Sequence, residues 1–227
     1  MNMQFDIATA RFNMIEQQIR PWDVLDQDVL DLLGVVKREA FVPPAHRLLA
    51  FTDLEIPLKD VGGVDAAGAS MWAPKLEARV LQELGPKAQD TALEIGAGSG
   101  YFAALLAHRC RSVTSVEIAA GLVAFATKNL RTAGVANARV IEGDGAQGFG
   151  RDMFDNIVLG GSTPVLPPAL LQQLKPGGRL FAVVGDAPVM AARLVTKAAD
   201  GTPASVTLFE TSLAPLANAA QPQRFKF

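Results

Sequence analysis

One stretch of the chain has the residue types and spacing to do chemistry: Leu93-Glu94-Ile95-Gly96-Ala97-Gly98-Ser99-Gly100-Tyr101. An apolar strand-like run leads into it and a helical run leads out. Glycines at such a strand-to-helix turn let the backbone approach a ligand closely, at the carboxyl edge of a parallel sheet where ligands bind. The spacing is G-x-G-x-G. A dinucleotide fingerprint needs a small residue at position 101, where this chain has Tyr101. The pattern therefore favours S-adenosyl-L-methionine over a nicotinamide cofactor, because it has no pyrophosphate to seat on a helix N-terminus. Two acids stand at matching places. Glu117, followed by Ile118, closes the next strand, where a carboxylate can accept both ribose hydroxyls and repels a 2′-phosphate. Asp144, between Gly143 and Gly145 after the third strand, can accept from an adenine amino group while its glycines allow a tight turn. All three signals fall on consecutive strand ends of one sheet, which makes these residues the expected cofactor-binding set.

The elements that must position them are legible as an alternation. From Pro74 onward, strands are expected over 91–95, 112–116, 138–142, 154–159 and 179–184, with helices over 74–84, 101–108, 121–133 and 167–174. Short apolar strands separated by amphipathic helices predict an α/β fold, a parallel sheet covered on both faces. Residues 191–198 and 205–213 flank Asp200-Gly201, so the sheet is expected to end in an antiparallel hairpin. Gly160-Gly161-Ser162-Thr163 reads as a turn after the fourth strand, a substrate contact by Ser162 being the other reading. Before position 74 the texture is helical: Ala8, Phe12, Ile15 and Ile19 recur at helical spacing, and Val29, Leu30, Leu33 and Val36 follow a candidate N-cap at Asp26. Pro43-Pro44 is expected to end that stretch, and 61–69 reads as a flexible loop. Residues 1–73 are thus expected to be a helical cap within the same domain as a 74–227 core.

Composition narrows the function classes. The 227 residues carry a net charge of −2, with 49% hydrophobic and 19% charged residues, against about 25% charged in an ordinary globular chain. A large core follows, and disorder is excluded. Near-neutral charge without a Lys/Arg run argues against nucleic-acid binding. The single Cys110 makes no internal disulfide or thiolate metal site and suggests a reducing compartment. It lies between Arg109 and Arg111, which can favour a thiolate, although a small buried residue before a strand is the plainer reading. Asp6, Arg11 and Glu16 interrupt any signal-peptide core, and the longest uncharged run, 156–174, is broken by Gly and Pro. A soluble, cytoplasmic protein with no membrane partner and no metal is expected. Nothing in the chain specifies an oligomeric state.

Beyond the cofactor motifs, Ser115-Val116-Glu117, Glu142-Gly143-Asp144-Gly145 and Leu171-Gln-Gln-Leu-Lys-Pro-Gly-Gly-Arg179 are joined by more particular matches. These are Arg11-Phe12-Asn13-Met14, Gln18-Ile19, Asp26 to Leu30, Arg38-Glu39-Ala40-Phe41-Val42-Pro43 and Leu213-Ala214-Pro215-Leu216. Together they resemble the protein-L-isoaspartate O-methyltransferases over nearly the whole chain. The resemblance implies a Rossmann-like class I methyltransferase fold with a seven-stranded sheet. It also implies an activity: methyl esterification of L-isoaspartyl carboxylates in damaged proteins or peptides, the ester then being lost through a succinimide. Such chemistry needs alignment and exclusion of water more than a strong base, which suits a chain whose only histidines are His46 and His108.

The resemblance places the acceptor between two segments. The family's Gln-Thr-Ile-Ser-x-Pro corresponds, anchored on Pro74, to Ala69-Ser70-Met71-Trp72-Ala73-Pro74. Ser70 then keeps the Thr hydroxyl, but Trp72 stands at the family Ser and Ala69 at the Gln. Ser70 and Trp72 are the expected catalytic and substrate-binding side chains. Trp72 has several readings: it fills the isoaspartyl pocket, lines a pocket for a flatter substrate, or packs against the N-terminal helices. In a shifted register Ser70 takes the Ser role. Ala214, Pro215 and Leu216 are expected to meet the substrate through their backbone. A small-molecule acceptor on the same scaffold and a cofactor-binding accessory protein are the alternatives at this stage.

Overall fold

The computed structural model describes residues 6–61 and 68–222. Helix α1 (Ile7–Met14) starts where the Asp6 carboxylate accepts from the backbone N–H of Ala8 and Thr9. The chain continues through a π turn at Ile15–Ile19 and a 3₁₀ turn at Arg20–Trp22. That π turn rotates the helix face, so the straight stripe expected through Ala8 and Phe12 does not hold. Phe12 is 63% exposed, whereas Met14 and Ile19 are fully buried. Helix α2 (Gln27–Val35) is capped by Asp26, as the spacing predicts. Pro44 does not end a helix but opens the 3₁₀ segment Pro44–Phe51, where a residue without an N–H costs nothing. Strands β1 (Ile56–Pro57) and β2 (Ser70–Met71) form a short antiparallel pair. Residues 62–67 of the expected 61–69 loop lie outside the described residues.

Helix α3 (Pro74–Leu84) runs from Pro74 to a left-handed Gly85, as expected. Then follow β3 (Thr91–Ile95), α4 (Tyr101–Arg109), β4 (Ser112–Glu117), α5 (Ala120–Thr132), β5 (Ala138–Glu142) and β6 (Phe154–Thr163). The chain closes with α6 (Pro168–Gln172), β7 (Leu174–Asp186), β8 (Val189–Lys197) and β9 (Pro203–Glu210). Two expectations change. Residues 160–163 extend β6 rather than forming a turn, and β7 begins at Leu174, absorbing the end of the expected helix. The pairing shifts from Phe154↔Leu174 to Asn156↔Arg179, so Pro176-Gly177-Gly178 bulge out of the ladder instead of ending it. Leu213, expected in the last strand, lies beyond Glu210 and leaves the sheet.

The sheet order is β5-β4-β3-β6-β7-β8-β9. Pairing is parallel from β5 to β7 and antiparallel for β8 and β9. The hairpin turns at Asp200-Gly201. The order reverses between β3 and β6, so the carboxyl ends of β3, β4 and β6 border a crevice. Both faces are buried, by alternation: Leu93, Ile157, Leu159 and Leu180 point into one cluster, while Ala92, Val158 and Phe181 point into the other. The second cluster also holds Met14, Ile19, Leu30 and Phe41 of the N-terminal segment. This is a doubly covered, Rossmann-like α/β sheet. Cys110 is buried at the end of α4, and burial pushes its thiol up to about 12, so it is a packing residue rather than a thiolate. No helix among the described residues is long and apolar enough to cross a membrane.

Candidate active site

A cleft of about 880 Å³ of empty space opens at the reversal point. It is lined by Gly96 and Gly98 after β3, Glu117 and Ile118 at the end of β4, and Gly143, Asp144 and Gly145 after β5. Ser70, Trp72, Ala214, Pro215 and Leu216 line the same cleft. The two expected groups thus share one cavity. Val116, Gly160 and Gly161, from segments the sequence singles out, also line it, as do Leu58 and Leu122, which no motif announces.

Glu117 is only 6% exposed. Its Oε2 accepts from the Gly98 N–H at 3.0 Å and its Oε1 from the Ala119 N–H at 3.1 Å. The carboxylate is therefore fixed between the glycine loop and the start of α5. Gly98 has φ +52°, which an L residue with a side chain adopts reluctantly. Asp144 is exposed, and one of its oxygens accepts from the Ala146 N–H at 2.9 Å. The other accepts from Asn218 Nδ2 at 2.8 Å, a partner with no sequence signal. Ile118 offers an exposed apolar side chain between them.

Five expected cofactor residues lie beside the cleft rather than on its lining. Glu94, Ala97, Ser99, Gly100 and Tyr101 do not line the cleft but lie behind the loop, which turns inward after Gly98. Glu94, Ala97, Ser99 and Tyr101 border a small inner cavity with Glu77 and Phe102, and Ser70, Trp72, Gly96, Gly98 and Gly160 line both it and the cleft. Tyr101 is 1% exposed and stacks against Phe41 and beneath Arg38. Its ring fills space toward the N-terminal segment, and burial raises its pKa. Gly100 abuts α5, where a Cβ would meet Ala126 at 3.2 Å.

Glu94 is fully buried, accepts a hydrogen bond from Ser115 Oγ, and is pushed up to about 8 by burial. Glu77 is likewise pushed up to about 7. Glu94, which has no cation beside it, holds a proton in the folded state that an unfolded glutamate, near 4.3, has lost. The folded state therefore binds more protons between about pH 4.5 and 8, and stability falls as pH rises through that window. Glu94→Gln is expected to flatten this decline and raise stability at pH 8 by about 1–3 kcal/mol. Urea midpoints at pH 5.5 and 8.0 check it, and an unchanged slope in the variant would refute the assignment.

Where the acceptor is expected, Ser70 Oγ donates to Glu55 Oε2 at 2.7 Å. Trp72 is 7% exposed. Its Nε1 donates to the Gly160 carbonyl at 3.0 Å, and its ring packs on Phe102 and Phe181. The indole thus lines the cleft while packed on α4 and β7, within the core cluster that also holds Met14, Ile19 and Leu30 of the N-terminal segment. Arg38, buried, holds this segment from behind. Its guanidinium donates to the carbonyls of Trp72 and Ala50 and, through Nε, to Glu77 Oε2 at 3.1 Å. Arg38 lies within a motif the sequence singles out, but its partners Glu77 and Trp72 are distant in the chain.

The far wall is stitched to β6. The Ser162 N–H donates to the Ala214 carbonyl, the Leu216 N–H donates to the Ser162 carbonyl, both at 2.9 Å, and Ser162 Oγ donates to the Leu213 carbonyl at 2.9 Å. Ser162, expected in a turn, is a latch for the wall. Gly161 permits the approach, since a Cβ there would lie 2.8 Å from the Ala214 carbonyl oxygen.

Comparison with known proteins follows the same lines. The family model described as Protein-L-isoaspartate(D-aspartate) O-methyltransferase (PCMT) matches residues 10–221. A protein-L-isoaspartate O-methyltransferase of Methanoculleus marisnigri is 37% identical over 176 residues, 77% of each chain. That of Koribacter versatilis is 34% identical over 193 residues, 85% of this chain and 84% of its own. A Plasmodium falciparum structure described as a protein-L-isoaspartate O-methyltransferase, in complex with S-adenosyl-L-homocysteine, superposes with a TM-score of 0.76 at 19% identity, covering 94% of this chain and 99% of its own. A second structure named protein-L-isoaspartate O-methyltransferase gives 0.75 at 22% identity, over 91% of this chain and 66% of its own. At such identities the structural likeness speaks to the fold.

Proposed function

The chain belongs to the protein-L-isoaspartate(D-aspartate) O-methyltransferase family, and on that premise we propose that it uses S-adenosyl-L-methionine to methylate the free carboxylate of L-isoaspartyl residues in proteins and peptides. The observation that carries this reading is the shared cavity. The glycine loop, Glu117 and Asp144 share a single cleft with Ser70 and Trp72, at the family's hydroxyl positions, and with 213–216, a segment that matches the family. The family match over residues 10–221 favours this acceptor over a small molecule and over a role without turnover.

The cleft's chemistry fits the cofactor. Glu117, already oriented by two backbone N–H groups, has lone pairs left for a vicinal diol. Asp144 offers carboxylate lone pairs at the other end for an exocyclic amine, and Ile118 and Leu122 supply apolar surface between the two acids. Gly96 and Gly98 let backbone border the cavity where side chains would fill it. When bound, the cofactor supplies a methyl group activated by a sulfonium. The protein's task is to align an acceptor that is already a nucleophile at neutral pH and to keep water out. Neither His46 nor His108 lines the cleft, as a reaction without a strong base allows. Trp72 closes the back of the acceptor side, and the backbone of 214–216 forms its far edge. Residues 6–61 and 68–73 act as a cap on the same domain, since Met14 and Leu30 share one core with Leu81 and Phe181. The lone buried thiol suits a cytoplasmic setting.

A direct test supplies methyl-labelled cofactor with an isoaspartyl peptide and its normal aspartyl twin. Base-labile methyl ester is expected on the first and not on the second. Ester on neither, with cofactor binding intact by calorimetry, would overturn the proposal.

A further inference from the structure

The hydrogen-bond inventory of the acceptor side points to which isoaspartyl sites the cleft prefers, an inference that rests on the function just proposed. A serine hydroxyl carries one hydrogen and an indole carries one. At Ser70 that hydrogen goes to Glu55, and at Trp72 it goes to the Gly160 carbonyl. Both side-chain donors of the acceptor segment are therefore committed inside the protein. What Ser70 leaves facing the cleft is lone pairs, and next to it sits a carboxylate.

Glu55 is exposed, immediately precedes β1, and is held to β2 by the 2.7 Å bond from Ser70. No cation is paired with it among the described residues, whereas the neighbouring Asp53 is neutralised by Lys75 at 2.6 Å. Glu55 is not itself in the cleft lining, but through Ser70, which is, it sets a like charge beside the path of an isoaspartyl carboxylate entering past Ser70. A cationic group carried on the same peptide beside the isoaspartyl residue removes that cost and gives Glu55 a partner. We infer that Glu55, positioned by Ser70, is a specificity-determining residue that selects isoaspartyl sites flanked by an ammonium or guanidinium group.

Three isoaspartyl peptides differing only in the following residue (Lys, Gln or Glu) test this. For the unaltered enzyme, kcat/KM is expected to fall in that order by about three- to fivefold per step at low ionic strength, and the spread to shrink with added salt. Peptide affinities for the S-adenosylhomocysteine-bound protein, read by calorimetry, should follow the same order. Glu55→Gln should flatten the ranking and Glu55→Lys should invert it. The comparison is made within each variant, so a general loss of activity cancels. A ranking that survives both substitutions would overturn the inference alone. Absence of ester on every peptide with the unaltered enzyme would overturn the acceptor assignment and this inference with it.

Discussion

Replacing Arg38 with methionine is expected to lower the free energy of unfolding by about 3–5 kcal/mol, the range for removing one partner of a buried ion pair. The side chain is 1% exposed, and its guanidinium bonds Glu77 and the carbonyls of Ala50 and Trp72. Methionine fills most of the volume but leaves the Glu77 carboxylate buried without its cation and two carbonyls without donors. Glu77 is already raised to about 7 with Arg38 beside it. Without that cation its pKa rises further, so the folded variant takes up a proton more readily and the loss is larger at pH 8 than at pH 5.5. A double Arg38→Met, Glu77→Met variant removes charge and partner together and should recover much of the difference. Urea unfolding with an unchanged m-value is the measurement. A loss below about 1 kcal/mol, or a double variant no better than the single, would refute the role given to the pair.

The second large effect is expected at Glu117. Its replacement by alanine should weaken cofactor binding by about 2–4 kcal/mol, roughly 30- to 700-fold. Two losses combine. Charge-assisted bonds to a ribose diol go, and the Gly98 and Ala119 N–H groups lose the acceptor that holds the glycine loop in shape. Glutamine keeps one carbonyl oxygen for those N–H groups but turns an amine toward the other, so it should fall between. Titration of each variant with S-adenosylhomocysteine decides the matter, and an alanine variant within twofold of the unaltered protein would remove the ribose from this carboxylate. Asp144 has less to lose, being exposed and already shared with Asn218.

What the sequence makes legible follows from how local each signal is. Strand β3 (Thr91–Ile95) is a short apolar run between turn residues and lies where its pattern puts it. Asp26 caps α2 because an N-cap bond spans only two or three residues. The glycines at 160 and 161 mislead for the opposite reason. They look like a turn, yet neither has positive φ, and they are small because the Gly96 and Ala214 carbonyls press within 2.8 Å of where a Cβ would stand. Such close approach is a property of strands distant in the chain and leaves no local pattern. The cofactor loop is half legible in the same way: G-x-G-x-G announces the turn but not that Ser99 and Tyr101 face inward. The pairs Ser70–Glu55, Asp144–Asn218 and Arg38–Trp72 join residues far apart in sequence, and only the fold brings them together.

The placement of the two indoles carries a practical consequence. Trp22 stacks edge-on against Phe209 with the Lys75 ammonium over its ring, away from the cleft. Trp72 borders the cleft itself, with its N–H fixed on the Gly160 carbonyl. One emitter sits away from the cleft, while the other sits in a wall that a ligand filling the cleft would contact. The protein therefore carries an internal fluorescent gauge of occupancy together with its own reference, and binding can be followed by intrinsic emission without a label.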